Sequence, residues 1–353
     1  ARASQPSVLR EGTPQDTQPR GPGYVHHWNA KGGSMEGEGR VRIPVRQAVP
    51  LNRLEEVLKA RVIGQDHVAR ALVKGLLRRE AGLSVGNRPF SAMFAGPTGT
   101  GKTEMAKALA EYLGRPFVRY DMNQYHDRHA ASALVGSPPG YMGSEQPGRL
   151  VADLNAHPDA VVLFDEIEKA HPQVLDPLLQ LLDEGYTKEL SKGMVAHAPN
   201  CILVFTTNLL YQEAWTAASP SGEHREDQAT VRQLLVSKGL RPELVNRLSV
   251  VVMFKAFDKE TLEGVVRKQV SDYLRAWAKR EGLSVTIQVD PSVYQALLAF
   301  CDTRFGARDV QRAVENYLGD ALATAYLGFK QRGVRPSWLS ATLEGGEVVV
   351  RLN

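Results

Sequence analysis

Only two cysteines occur in 353 residues, Cys201 and Cys301, far apart and outside any C-x-x-C or His/Cys cluster. That scarcity argues against a disulfide framework or a thiolate metal centre, and predicts reduced core thiols in a cytoplasmic compartment. No apolar run is long enough to cross a bilayer, so no membrane partner is expected. No amino-terminal stretch has the charged-then-apolar layout of a secretory signal. The chain opens on Ala1 instead of Met, as a processed protein or a fragment does. Blocks of like charge are lacking too. With 43 Lys and Arg against 39 Asp and Glu, the net charge of +4 is too mild and scattered to point to nucleic acid. No internal repeat appears. What remains is an ordinary globular composition, 43% hydrophobic and 23% charged, with length for one large domain and a smaller one.

The most informative stretch is Gly96-Pro97-Thr98-Gly99-Thr100-Gly101-Lys102-Thr103, which spells G-x-x-x-x-G-K-[ST]. In such a loop backbone N–H groups turn inward around the phosphates of a nucleotide, where a Cβ would obstruct them. Lys102 offers those phosphates a positive charge, and the Thr103 hydroxyl offers Mg²⁺ a ligand. The apolar run Phe90 to Phe94 predicts a buried strand before the loop. Thr103 to Leu113 predicts a helix after it, with Gly114 as C-cap. Phosphates would then rest on a helix N-terminus.

Residues 1 to about 45 are rich in Gly, Pro, Ser, Gln and charge, which predicts a flexible arm. Its aromatic island, Tyr24 to Trp28, reads first as a solvated cluster, ahead of a docking motif or weak metal site. Leu51, Leu54, Val57 and Leu58 have helical spacing, and a second amphipathic stretch runs to Leu77. Between them Val62 and Ile63 either pack the helices together or wall an adenine ring; spacing leaves both open.

Further near-continuous apolar runs occur at Phe117–Tyr120, Ala160–Phe164, Cys201–Phe205 and Val250–Phe254. Such runs predict strands covered on both faces, hence an α/β fold with a parallel sheet flanked by helices. After Phe254 the pattern predicts helices over 258–281 and 291–332, a short strand at Ser284–Val289 and a closing strand pair, Leu339–Leu343 with Val348–Leu352. The expected organisation is an arm over 1–45, a large domain over 46–255 and a smaller, mainly helical domain over 256–353.

Several candidates carry chemistry. Asp165 and Glu166 end an apolar strand, Asp165 fitted to hold Mg²⁺ through its water shell and Glu166 to polarise an attacking water. Asn208 ends another strand and can orient that water, though polar groups end most strands. Arg241 and Arg247 both lie just before the last core strand. They read either as surface salt bridges or as cations for a neighbour's γ-phosphate. Arg308 can bridge the two domains through a nucleotide. Gly140-Tyr141-Met142-Gly143 places apolar groups on a Pro- and Gly-rich loop, suited to gripping a partner or to folding under itself. His126, His129 and His171 read as structural or surface residues.

Taken together, these stretches resemble the Clp family of AAA+ ATPases, specifically the second ATPase module of its ClpA- and ClpB-type unfoldases, over about residues 41 to 353. The resemblance implies ATP and Mg²⁺ as cofactors and a hexameric ring that unfolds or disaggregates protein by threading it through a pore. It implies that Gly140, Tyr141, Met142 and Gly143 grip substrate and that Arg247 is an arginine finger, with Arg241 a second interface arginine. Asn208 and Arg308 resemble the two sensors, and Ile63 part of the adenine pocket. There are departures. One module is present where such proteins usually carry two, the expectation being a single-ring protein or a truncated one. No Ile-Gly-Phe or Ile-Gly-Leu lies between Asn208 and Arg241, which argues against a peptidase partner. Met142, Ser144 to Pro147 and residues 185–197 also differ from the usual pattern. The competing expectations are a nucleotide-switched scaffold that remodels a specialised complex without threading, and a nucleic-acid motor, which the weak charge disfavours.

Overall fold

A computed structural model describes residues 51–83, 86–137, 148–190, 193–213, 227–302, 305–333 and 335–353. The arm expected over 1–45 and the stretch Gly140, Tyr141, Met142 and Gly143 lie outside the described residues. In chain order the described strands are β1 (Phe90–Ala95), β2 (Phe117–Asp121), β3 (Val161–Asp165), β4 (Tyr186–Lys188), β5 (Val195–His197), β6 (Ile202–Thr207), β7 (Val250–Met253), β8 (Thr286–Val289), β9 (Trp338–Glu344) and β10 (Glu347–Leu352).

Five of them form one parallel sheet in the order β2-β3-β6-β1-β7. Its apolar runs are continuous because both faces are buried. Met93, Val162, Phe164, Leu203, Phe205 and Val251 point into one core, while Phe94, Val161, Leu163, Val204 and Val252 point into the other. Aromatic rings tie three strands together, with Phe164 stacked on Phe205 at 5.0 Å and Tyr120 on Phe164 at 5.4 Å between centroids.

The helices cover the sheet by their apolar faces. On one side lie α1 (Leu54–Arg61), α2 (Asp66–Glu80) and α3 (Lys102–Leu113), burying Leu58, Leu72 and Leu109. On the other lie α4 (Arg128–Val135), α5 (Arg149–Ala156), α6 (Pro172–Glu184), α7 (Gln228–Ser237) and α8 (Pro242–Arg247), burying Leu134, Leu150, Leu178, Val231 and Leu244. Every strand of the sheet runs the same way, so the segments following β1, β3 and β6 emerge along one edge. In open α/β sheets that edge is where ligands bind.

A third core follows. It is built by α9 (Lys259–Arg280), α10 (Pro291–Ala299), α11 (Ala307–Ala313) and α12 (Asp320–Gln331) against a small sheet of β8, β9 and β10, with β8 parallel and β10 antiparallel to β9. The expected single helical stretch over 291–332 is interrupted. Helix α10 stops at Ala299, and the chain turns at Gly306, φ 60°, before α11 begins. A π-turn over Val314–Gly319 then joins α11 to α12. The interruption is a contact. Ala307 N–H donates to the Gly99 carbonyl at 3.0 Å, so the C-terminal core touches the phosphate-type loop main chain to main chain. At Gly99, φ 77°, a methyl group would sit 2.2 Å from the Phe305 carbonyl oxygen, which only glycine avoids.

The β4–β5 hairpin was not expected from sequence. Among the described residues no helix is long and apolar enough to cross a membrane.

Candidate functional site

At the carboxyl edge of the sheet a cleft of about 670 Å³ opens between the large core and the C-terminal one. Its wall includes Val62, Ile63, Thr98, Gly99, Thr100, Gly101, Lys102, Thr103, Asp165, Glu166, Asn208 and Arg308. The chain thus gathers twelve residues singled out from sequence, drawn from five separate segments. Gly96 and Pro97 stand behind that wall, their carbonyls turned to the Lys102 ammonium at 2.7 Å each. Arg241 and Arg247 are not on it.

The loop geometry follows from its glycines. Gly101, φ 98°, caps α3 in a left-handed conformation and lies so close to Val62 that a methyl group would meet Val62 Cγ1 at 2.5 Å. Val62 is therefore both a core residue and a cleft residue. Ile63 packs toward Gly264 on α9, and the next polar group, Gln65, is fully buried. Its amide donates to the Lys255 carbonyl and accepts the Lys255 N–H, both at 2.9 Å, as a strand neighbour would. This pins the Val62–Gln65 turn to the linker between the cores. Val62 and Ile63 thus pack against the cores and also line the cleft.

Lys102 is 8% exposed. Burial pushes its ammonium down to about 8, and Arg308 pushes the same way against the pull of Asp165 and Glu168. Its third hydrogen-bond partner is Asn208 Oδ1 at 2.9 Å. The Asn208 amide nitrogen in turn donates to Glu166 Oε1 at 2.8 Å, and the Asn208 N–H donates to Glu168 Oε1 at 3.0 Å. One side chain thus links the lysine to the glutamate. Asn123, just past β2, donates to the other Glu166 oxygen at 2.5 Å.

Asp165, 7% exposed, is likewise held at both oxygens. Thr206 Oγ1 donates to Oδ1 at 2.5 Å, and Arg119 Nη2 on β2 donates to Oδ2 at 2.6 Å. Glu166 is the one non-glycine residue with a positive φ among the described residues, 59°. Arg119, Asn123, Thr206 and Glu168 carried no motif of their own. Only the strand order, which sets β2 and β6 on either side of β3, could have shown that Arg119, Asn123 and Thr206 meet these carboxylates and that Glu168 meets the Asn208 N–H.

The arginines beyond the cleft are engaged. Arg247 Nε donates to Asp183 on α6 and its Nη1 to the Glu243 carbonyl at 2.7 Å, while Arg241 pairs with Asp176 at 3.2 Å and Glu243 at 3.6 Å. Tyr141 and its three neighbours lie outside the described residues. His171 caps α6, accepting the Gln173 N–H at 3.2 Å. Cys201 is buried and Cys301 partly so, both free. Among the described residues no group of three or more His, Cys, Asp or Glu is placed to hold a metal by itself.

Residues 87–251 match the family model of the AAA domain (Cdc48 subfamily), and residues 257–333 match that of the C-terminal, D2-small domain of ClpB protein. The chain is 37% identical over 294 residues to Chaperone protein ClpB 1 of Parasynechococcus marenigrum (strain WH8102), covering 81% of this chain and 34% of that one. It is 38% identical over 284 residues to the mitochondrial Chaperone protein ClpB4 of Arabidopsis thaliana, 78% of this chain and 29% of that one. With Chaperone protein ClpB of Streptomyces albus G it shares 37% identity over 304 residues, 85% and 34% of the two chains. The chain therefore spans about a third of the length of the curated relatives it matches.

Proposed function

Because the chain belongs to the Clp-type AAA+ ATPases, we propose that it hydrolyses ATP to ADP and phosphate and uses the energy, as a hexameric ring, to unfold or disaggregate protein by threading it through a pore. The observation that carries the hydrolytic part is the Asn208 side chain, hydrogen-bonded to both Lys102 and Glu166. A phosphate-binding cation and a carboxylate fitted to take a proton are thereby joined through one amide. In this reading Lys102 turns from the Gly96 and Pro97 carbonyls to the phosphates, and the Thr98–Thr103 backbone cradles them. Glu166 accepts the proton of the attacking water, and Asn208 orients that water.

The Thr103 hydroxyl and the Asp165 carboxylate, both on the cleft wall, are hard oxygen donors of the kind Mg²⁺ takes. Bound there, the ion would neutralise phosphate charge. Val62 and Ile63 would wall the adenine, and Arg308 would carry the nucleotide state into the C-terminal core. Arg247, with Arg241 beside it, would act on a neighbouring copy's nucleotide, which accords with both lying off their own chain's cleft. We assign the large domain to residues 46–255, the small one to 256–353 and the substrate grip to Gly140, Tyr141, Met142 and Gly143. The grip rests on the sequence resemblance. The missing peptidase-docking tripeptide supports a ring that works without a peptidase, on unfolded or aggregated protein, and the two scattered cysteines accord with a cytoplasmic compartment.

The test is the ATPase rate with and without a permanently unfolded protein, for the parent and for Tyr141→Ala. Stimulation that vanishes in the variant while basal turnover persists is the expected result. Hydrolysis indifferent to unfolded protein in both would favour the nucleotide-switched scaffold instead.

A further inference from the structure

Glu166 turns left-handed at φ 59°, a conformation that a side-chain-bearing residue keeps only when its surroundings hold it. Its N–H is caught at 2.9 Å by the hydroxyl oxygen of Thr206, on the neighbouring strand β6. The same hydroxyl gives its own proton to Asp165 Oδ1 at 2.5 Å. A threonine hydroxyl has one proton to give, so its orientation is set once that proton goes to Asp165. The γ-methyl limits rotation about χ1, and the residue is fully buried, out of reach of competing water.

One oxygen atom thus fixes two things, the direction of the Asp165 carboxylate and the turn by which the chain enters Glu166. We propose that Thr206 is a positioning residue for hydrolysis: its hydroxyl sets the left-handed turn that aims the Glu166 carboxylate at Asn208. This rests on the reading of Glu166 as the residue that activates water. The hydrogen bonds of the Thr206 side chain go to Asp165 and Glu166 and none to the phosphate-binding loop or Lys102, so its loss should fall on the two carboxylates while the loop that cradles the phosphates stays intact. A Val side chain keeps the shape and removes the oxygen. The Glu166 N–H is then left without its partner and the turn is free to relax toward ordinary backbone. A Ser side chain keeps the oxygen.

The experiment uses the full chain with Thr206→Val, Thr206→Ser, Glu166→Gln and the Val/Gln double variant. It measures kcat, KM for ATP, affinity for a fluorescent ADP and the thermal midpoint. For Thr206→Val we expect kcat to fall about 30-fold or more with ADP affinity within about twofold, Thr206→Ser to stay within about threefold of the parent, and the double variant to lose little beyond Glu166→Gln, because groups acting as a unit are non-additive. Three results would overturn the proposal: Val turnover within about threefold of the parent, a loss shared equally by ADP affinity, or full additivity with Glu166→Gln. If Thr206→Val does not yield folded protein, Thr206→Ala is judged by the same criteria. Parent-like turnover in Glu166→Gln would instead remove the reading of Glu166 itself, and the proposal with it.

Discussion

The Arg247 guanidinium is ion-paired with Asp183 of its own chain, in the last turn of α6. Asp183 also binds Arg88, through its carbonyl at 3.0 Å and its carboxylate at 3.6 Å, and Arg88 in turn offers its own carbonyl to Arg79 at 2.8 Å. If Arg247 acts on a neighbour's nucleotide, Asp183 holds it ready. Asp183→Ala should therefore lower ATPase turnover by about tenfold, less than the roughly 10³-fold expected for Arg247→Ala, with ADP affinity unchanged in both. Steady-state rates across a range of protein concentrations check this; parent turnover in Asp183→Ala would show the pair to be a surface ornament.

Arg119 occupies one oxygen of the carboxylate proposed to hold Mg²⁺ through its water shell. If it does so, a water of the ion and the Arg119 guanidinium compete for that oxygen. The Arg119 side chain is 44% exposed, so the pair is screened and is worth at most about 1 kcal/mol. Arg119→Ala should lower the Mg²⁺ concentration needed for half-maximal nucleotide binding by up to about fivefold. A Mg²⁺ titration of fluorescent ADP binding measures it, and an unchanged or higher requirement would contradict the expectation.

Two glycines with similar φ make a matched pair of tests. At Gly114, φ 61°, an added methyl group meets nothing within 4 Å, so Gly114→Ala should cost only about 1–2 kcal/mol of backbone strain and leave nucleotide affinity alone. At Gly99 the methyl group would run into the Phe305 carbonyl. Gly99→Ala should lower the thermal midpoint by several degrees more and weaken ADP binding by about tenfold or more. Equal behaviour of the two would mean that the contact is dispensable.

Burial pushes the Cys201 thiol up to about 11, and the Cys301 thiol likewise to about 11. At pH 8 only about one thiol in a thousand is then a thiolate, so a disulfide reagent should label the native chain slowly and the unfolded chain at once. The shift also has a sign for stability. Above pH 9 the unfolded chain gives up protons that the native one keeps, so stability present below 9 is lost as pH climbs through about 11. Rapid native labelling at pH 8, or a melting temperature flat across that window, would count against it.

The five strands of the parallel sheet fall within a residue or two of where their apolar runs predict, because burial on both faces leaves an unmistakable signature. The hairpin of Tyr186–Lys188 and Val195–His197 left none. Each arm is three residues long with one fully buried side chain, too short for alternation to register. The break before Gly306 was hidden for a different reason. Its cause, the carbonyl of Gly99, lies some two hundred residues earlier in the chain. The cleft divides the same way. Lys102, Asp165, Glu166 and Asn208 end strands or begin a helix and could be read in place, whereas Arg119, Asn123 and Thr206 acquire meaning only from the order β2-β3-β6.

The junction between Gly99 and the Phe305–Ala307 turn is made of main chain on both sides. A coupling built this way is almost invisible to mutation. Of the side chains around it, Gln269 supports the turn from the C-terminal side, its amide donating to the Ala307 carbonyl at 2.9 Å. The vulnerable letters are the two glycines, Gly99 and Gly306, at each of which an added carbon would strike the opposing backbone at under 3 Å. If the two cores communicate across this junction, heritable loss of that communication presents a target of two codons, and a library screened for uncoupled variants should return those positions far more often than any neighbour.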